Sequence, residues 1–269
     1  MQFARVNDVV LHYQMIGDPN TKPLIVFANA LGTDFRIWRD VIIRLVGDFS
    51  VLTYDKRGHG LSETGPTPYT MDNHVEDLAA LLELVGARQV FVCGVSIGGM
   101  IAQGLASSRP DLVRAVVLCD TAAKIGDDAS WNQRIEAVNA GGIEAIADSV
   151  LEKWFTPAFR KPDNPEFAGY RTMLTRQSAE GYAATCAALR DADLTDAAKT
   201  LTVPSICIVG DEDGSTPPSL VADFAKTIPN THFEVIKGAG HLPSIEQPER
   251  LTDIVRAFAG MVRAGGRPN

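Results

Sequence analysis

Six short segments, "LIVFANA" (24–30), "FSVLTYD" (49–55), "VFVCG" (90–94), "AVVLCD" (115–120), "SICIVGDED" (205–213) and "HFEVIKG" (232–238), are dominated by apolar, largely β-branched residues. A strand with one wet face alternates apolar and polar residues, whereas runs of this kind predict strands buried on both faces. Between them lie helical patterns: "FRIWRDVIIRLVG", "YTMDNHVEDLAALLELVG", "IGGMIAQGLASSRP" and "PSLVADFAKTIP". Alternating strands and helices predict an α/β fold, with a mostly parallel central sheet and helices on both faces. The earlier stretch "VVLHYQMIG" alternates instead and is followed by "DPNTKP", which predicts an opening hairpin strand and its turn.

From Thr121 to Lys199 the pattern changes to helical periodicity with aromatic clusters such as "EKWFTPAF" and no strand-like run. That is too long for a connecting loop. The expected organisation is a core built from residues 1–120 and 200–269, with a helical cap, 121–199, inserted after the sixth strand. The tail "RAGGRPN" is expected to fray.

Composition narrows the function classes. The 269 residues are 45% hydrophobic and 22% charged, which excludes disordered and fibrous chains. A net charge of −8, with 25 Lys and Arg scattered rather than clustered, speaks against nucleic-acid or anionic-membrane partners. The N-terminal segment lacks a basic-then-apolar leader pattern, and no apolar run reaches the ~18 residues of a membrane span, so a cytoplasmic protein with small-molecule partners is expected. Cys93, Cys119, Cys186 and Cys207 lack CxxC spacing and read as buried reduced thiols. Oligomeric state leaves no signal in the sequence.

The chemistry concentrates at Gly94-Val95-Ser96-Ile97-Gly98, a G-x-S-x-G pattern between a buried strand and a helix. In that setting a sharp turn lifts the serine hydroxyl above the sheet edge. An alcohol is a weak nucleophile at neutral pH, so Ser96 needs a base, and the base needs an acceptor that fixes its tautomer. His241, in the glycine turn "KGAGHLPSIEQP", is the expected base. His12, His74 and His232 lie within elements and read as structural; His59, in "YDKRGHGLS", is the closest rival, although that turn reads more naturally as a structural corner. For the carboxylate, "IVGDEDGSTPP" offers Asp211, Glu212 and Asp213. Asp213 lies furthest past the strand and is the choice, Asp211 being read as a turn stabiliser. Asp120 remains the alternative acid. Backbone N–H groups of Ile97 and of Leu31, in "FANALGTD", are the expected oxyanion donors, with Gly32 read as loop flexibility.

Taken together the chain resembles the α/β-hydrolases, and more narrowly the 3-oxoadipate enol-lactonases of aromatic-acid catabolism. The resemblance rests on "NALGTDFRIW", "YDKRGHGLS", "CGVSIGGMIAQGLA", "LCDTAAKIG", "WNQRI", "EGYAATCAALRDADL", "VGDEDGSTPP" and "GAGHLPSIEQP", which cover nearly the full length. GxSxG and the Gly-His turn mark only the superfamily, whereas "LCDTAAKIG" and the cap stretch carry the narrower likeness. Ala30 stands where a serine is common in the lactonases, which leaves the loop amides available. The resemblance implies hydrolysis of 3-oxoadipate enol-lactone to 3-oxoadipate in the β-ketoadipate pathway, through an acyl-enzyme and with no metal or organic cofactor. Such a substrate carries a carboxylate while the whole protein is acidic, so a local cation is expected. Arg134 and Arg190 are the candidates, with Trp131 and Trp154 as candidate pocket walls. The same triad would also serve a general carboxylesterase or a cofactor-free perhydrolase; a non-catalytic receptor of this fold is a third reading.

Overall fold

The computed structural model describes residues 1–266; residues 267–269, the end of the tail expected to fray, lie outside the described residues. Eight strands form one sheet: β1 (Gln2–Val6), β2 (Val9–Ile16), β3 (Leu24–Ala28), β4 (Ser50–Tyr54), β5 (Val90–Val95), β6 (Val113–Cys119), β7 (Ser205–Gly210) and β8 (Thr231–Ile236). Their spatial order is β1-β2-β4-β3-β5-β6-β7-β8. β2 runs antiparallel to both neighbours, and every pairing from β4 to β8 is parallel.

Every residue of β3, β4, β5 and β7 is buried, as continuous apolar runs require when helices cover both faces. β8 departs from that pattern. It is an edge strand, and most of its residues retain partial exposure, including Glu234 and Val235. The opening hairpin also differs from expectation: β2 folds back on β1 through Asn7-Asp8, with Asn7 at a left-handed φ of 48°, and "DPNTKP" instead leads from β2 into β3. Asparagine tolerates that conformation, so a two-residue turn outcompetes the longer proline-containing one for the hairpin.

The helices are α1 (Arg39–Leu45), α2 (Met71–Leu84), α3 (Ile97–Ser108), α4 (Asp128–Gly141), α5 (Ala147–Trp154), α6 (Pro165–Thr175), α7 (Ala179–Asp191), α8 (Thr195–Lys199), α9 (Pro218–Thr227), α10 (Pro243–Glu246) and α11 (Pro248–Arg263). Helices α4 to α8 fill the interval between β6 and β7. α4 begins with a capping box in which Asp127 accepts from the Ser130 amide and Ser130 closes the pair. α11, which the sequence reading did not single out, buries an apolar stripe of Leu251, Ile254, Val255, Phe258 and Val262 and packs beside α1. No described helix is long and apolar enough to cross a membrane. All four cysteines are buried and unbonded to one another.

The turn after β4 is anchored by a buried ion pair. Arg57 donates from Nε to Asp77 Oδ2 at 2.7 Å and from Nη2 to Asp77 Oδ1 at 2.8 Å, and both side chains are only 2% exposed. Asp77 sits on α2, so this fork ties that turn to a helix flanking the sheet. Arg57 Nη2 also donates to the half-exposed Asp8 at 2.9 Å, so removing Asp77 leaves the buried guanidinium with one partly solvated counter-ion. The cost of a wholly unpaired buried charge, about 3–5 kcal/mol, is then the upper bound. Asp77→Ala is therefore expected to lower unfolding stability by less than that bound, about 2–3 kcal/mol, measured by urea denaturation.

Candidate active site

Ser96 joins β5 to α3 with φ 59° and ψ −124°, a region non-glycine residues rarely adopt. The turn holds because its backbone is tethered on both sides: the Ser96 amide donates to the Cys119 carbonyl at 3.0 Å, and Thr121 Oγ1 donates to the Ser96 carbonyl at 2.7 Å. Its glycines are demanded by contact rather than by flexibility. A Cβ on Gly94 would collide with the Gly98 carbonyl, and one on Gly98 with the Ala28 carbonyl of β3.

His241 follows β8, and its imidazole is buried against Asp213, which follows β7. Nδ1–H donates to Asp213 Oδ2 at 2.9 Å, leaving the other ring nitrogen for a different partner. Asp213 accepts three further bonds: Ser215 N at 2.7 Å and Thr216 N at 3.1 Å on Oδ1, and Thr216 Oγ1 at 2.6 Å on Oδ2. Burial opposes its charge, yet the His241 ring and these donors outweigh burial and hold the Asp213 carboxyl below its ordinary value.

Asp120, the alternative acid, is close by: one side-chain atom from each of Asp120, Asp213 and His241 lies within 4.8 Å of the others. Its environment is the opposite of its neighbour's. Oδ1 accepts from the Gly210 amide at 2.9 Å, and Oδ2 is buried without a donor. Burial, with the Asp213 charge beside it, pushes the Asp120 carboxyl well up. Two adjacent buried carboxyls cannot both be ionised at little cost, and the proton belongs on the poorly solvated one. Asp211 accepts from the amides of Gly238 and Ala239, bracing the loop that carries His241.

The loop after β3 completes the site. Gly32 has φ 76°, its amide donates to His59 Nε2 at 3.0 Å, and a Cβ there would meet Leu174 at 2.6 Å. Gly32 is thus fixed by packing, which corrects its reading as a flexible residue. Burial holds His59 well below the usual imidazole value, so its neutral ring accepts from Gly32 while Nδ1–H faces the Arg57 carbonyl at 3.2 Å. His12 is buried against Asp55 at 2.8 Å, His74 is buried and pushed down to about 3, and His232 lies on the β8 edge beside Glu234. The amides of Leu31 and Ile97 have no protein acceptor among the described residues.

A cavity of about 120 Å³ is lined by Ser96, His241, Leu31, Trp131, Arg134 and Trp154, with the buried Tyr182 and the exposed Lys153 also on its wall. Arg134 stacks over the Trp131 ring at 5.0 Å, and among the described residues neither Arg134 nor Lys153 has a carboxylate partner. Arg190 is elsewhere. It forks onto Asp191, donates to Asn132 at 2.8 Å and borders a separate groove, because the face of α7 that carries it points away from the cavity. A wider groove of about 600 Å³ between β8 and α11 contains neither a serine nor a cysteine.

Sequence reasoning missed Lys153, Tyr182 and Thr216. Thr216 had a readable signal, a hydroxyl three residues past the acid; Lys153 had none, since its position depends on how α5 lies. α5 also reaches the loops directly: the Trp154 carbonyl accepts from the His241 amide at 2.8 Å, and the Lys153 carbonyl accepts from Gly214 at 3.2 Å. Glu246 closes the ring, accepting from Gly240 N at 2.8 Å and from Thr156 Oγ1 at 2.7 Å.

A hydroxyl, an ionised carboxylate and an imidazole beyond the carboxyl ends of the parallel strands β5, β7 and β8, with the free Leu31 amide on a residue lining the cavity and the free Ile97 amide next to Ser96, form an arrangement suited to acyl transfer. A family model for the alpha/beta hydrolase fold matches residues 23–248, and the chain belongs to that family. Within it, the chain is similar to 3-oxoadipate enol-lactonase 2 of Acinetobacter baylyi, 35% identical over 254 residues and 93% of each chain. The enol-lactonase structure from Burkholderia xenovorans matches with a TM-score of 0.93 and 33% identity, covering 96% of this chain and 100% of that one. A thermophilic esterase from Thermogutta terrifontis, solved with malate bound, matches with a TM-score of 0.90 and 27% identity over 97% and 99% of the two chains.

The opposite environments of the two acids make a prediction. Asp213→Asn is expected to lower kcat by about 10⁴, the effect of misorienting a catalytic imidazole. Asp120→Asn, which replaces a neutral carboxyl by a neutral amide, should stay within about tenfold of wild type, since a lost hydrogen bond is worth only ~0.5–1.5 kcal/mol. Steady-state rates of the two variants distinguish the acids, and the reverse order would transfer the role to Asp120.

Proposed function

We propose that this protein hydrolyses 3-oxoadipate enol-lactone to 3-oxoadipate, within the β-ketoadipate route of aromatic-acid breakdown. The observation that carries the reading is a pair of cations without acidic partners among the described residues, the half-buried Arg134 and the exposed Lys153, on residues that line the same narrow cavity as Ser96 and His241. A neutral ester has no use for them, whereas a lactone bearing a carboxylate does. The likeness to the enol-lactonases of Acinetobacter baylyi and Burkholderia xenovorans supports the same assignment. Residues 121–199 serve in this reading as the cap that supplies Arg134, Lys153, Trp131 and Trp154.

In the reaction, Ser96 Oγ attacks the lactone carbonyl carbon while the unbonded nitrogen of His241 takes the hydroxyl proton. Asp213 holds the ring's other N–H and stabilises the imidazolium. The negative charge that develops on the carbonyl oxygen is received by the N–H groups of Leu31 and Ile97, each worth ~3–4 kcal/mol in the transition state. The tetrahedral adduct collapses by breaking the ring C–O bond, and His241 returns its proton to the departing enolate oxygen. The freed enol tautomerises to the ketone, which draws ring opening forward. Water then gives a proton to His241 and attacks the acyl carbon; Ser96 leaves, recovers that proton, and a second carboxylate is released. These steps need no metal or organic cofactor.

Ser96→Ala is expected to abolish turnover with the fold intact, and a serine-directed phosphonate should label wild-type Ser96. Arg134→Met should lower kcat/KM for the enol-lactone about ten- to hundredfold, the worth of one charge-assisted hydrogen bond. Turnover of p-nitrophenyl acetate should be unaffected by that change. Comparing the two substrates across wild type and variant tests the assignment; a wild-type preference for the neutral ester would replace it with a general carboxylesterase.

A further inference from the structure

Lys56 follows β4, is 2% exposed, and donates from Nζ to the Ala30 carbonyl at 2.6 Å. The Ala30 carbonyl and the Leu31 N–H belong to one peptide group. We propose that Lys56 is a positioning residue for the hydrolysis, its ammonium polarising and orienting the Ala30–Leu31 peptide so that the Leu31 N–H becomes a stronger, fixed donor to the tetrahedral oxyanion. This rests on the assignment of Leu31 as an oxyanion donor made above.

The geometry supports polarisation rather than mere anchoring. Peptide resonance links the two ends of the group: positive charge at the oxygen strengthens the C–N double-bond character and leaves the nitrogen more electron-poor, so its N–H donates better. Thr33 adds to the same carbonyl oxygen, from Oγ1 at 2.9 Å and from its amide at 3.3 Å. The neighbouring residues are pinned independently. Asn29 donates to the Tyr54 carbonyl and accepts from Trp38 Nε1, each at 2.9 Å, and Gly32 is held by His59. The loop therefore keeps its shape through several other bonds, and an apolar side chain would fill the Lys56 position at lower desolvation cost. What the ammonium adds is charge, delivered to the far side of the peptide that faces the cavity through Leu31.

The groups facing Lys56 are the Asp34 and Asp55 carboxylates, which favour its charge, and the His59 and His74 rings, which feel it. Burial outweighs the two carboxylates and pushes the Lys56 ammonium down to about 7. The ammonium is complete below that value and is lost as pH rises through it. Activity then carries an alkaline decline that originates in Lys56.

Lys56→Met is expected to lower kcat about five- to tenfold with KM within about twofold, the scale of a strengthened rather than a deleted oxyanion donor. Affinity for an alkylboronic acid, whose Ser96 adduct carries the tetrahedral oxyanion, should fall by the same factor, 3-oxoadipate should bind unchanged, and the alkaline decline should disappear. Unchanged kcat and boronate affinity, or a loss confined to KM, would overturn the proposal. If Lys56→Met does not fold, native protein labelled with ¹⁵N answers the question: the Lys56 Nζ and Leu31 amide signals should titrate with one midpoint. A Leu31 amide that stays fixed while Nζ titrates overturns it. Failure of the site reading is separate, since it would appear as wild-type Ser96 left unlabelled by the phosphonate. Wild type that is labelled and active, beside an unimpaired Lys56→Met, refutes the role of Lys56 alone.

Discussion

At Gly94 and Gly98 the backbone of the β5–α3 turn lies so close to itself and to β3 that no Cβ fits at either position. This contact brings the amino end of α3 directly over the sheet, and the remaining site is arranged around it. β3 must end where the turn begins, which sets its following loop beside Ser96. β6 meets the same turn through the Cys119 carbonyl and Thr121. The acid and base then arrive from β7 and β8 on the same edge of the sheet, because parallel strands deliver all their carboxyl ends to one side.

The architecture was legible wherever burial leaves a compositional trace. Strands covered on both faces must be apolar throughout, and β3, β4, β5 and β7 could be read from that requirement alone. β8 was found despite its weaker pattern, whereas its exposed edge was not foreseen. Ser96 was visible because a strand-to-helix reversal consumes glycines at fixed offsets. His241 and Asp213 were visible as polar residues just past strands, and the choice between Asp213 and Asp120 needed the hydrogen-bond donors around each. Arg134 and Arg190 were indistinguishable in sequence, since both are helix arginines and only packing decides which face looks inward. Lys56 left no trace, because a lysine beside a turn reads as a solvated charge until its burial is known, and Lys153 left none because only the placement of α5 brings this exposed helix lysine to the cavity.

The electrostatics work on two scales. The chain as a whole carries −8, yet the cavity gathers Arg134 and Lys153 without acidic partners among the described residues. Within the site, two carboxyls at close range are separated by their donors. Asp213 receives four hydrogen bonds and stays ionised, while Asp120 receives one and holds the proton. The catalytic chemistry we propose depends on that inequality more than on either residue's identity.

The carbonyls of Lys153 and Trp154, at the end of α5, accept from Gly214 and His241, one in each of the loops that hold the acid and the base. Those bonds make the helix that borders the cavity a structural part of the machinery that would act on a substrate held there. Divergence in specificity is then channelled into side chains on α4 and α5, because shifting or exchanging the α5 backbone would misalign both loops together. A chimera carrying a relative's inserted helices would inherit that relative's loop geometry along with its pocket, so selectivity and catalytic alignment in this lineage are free to change residue by residue but not segment by segment.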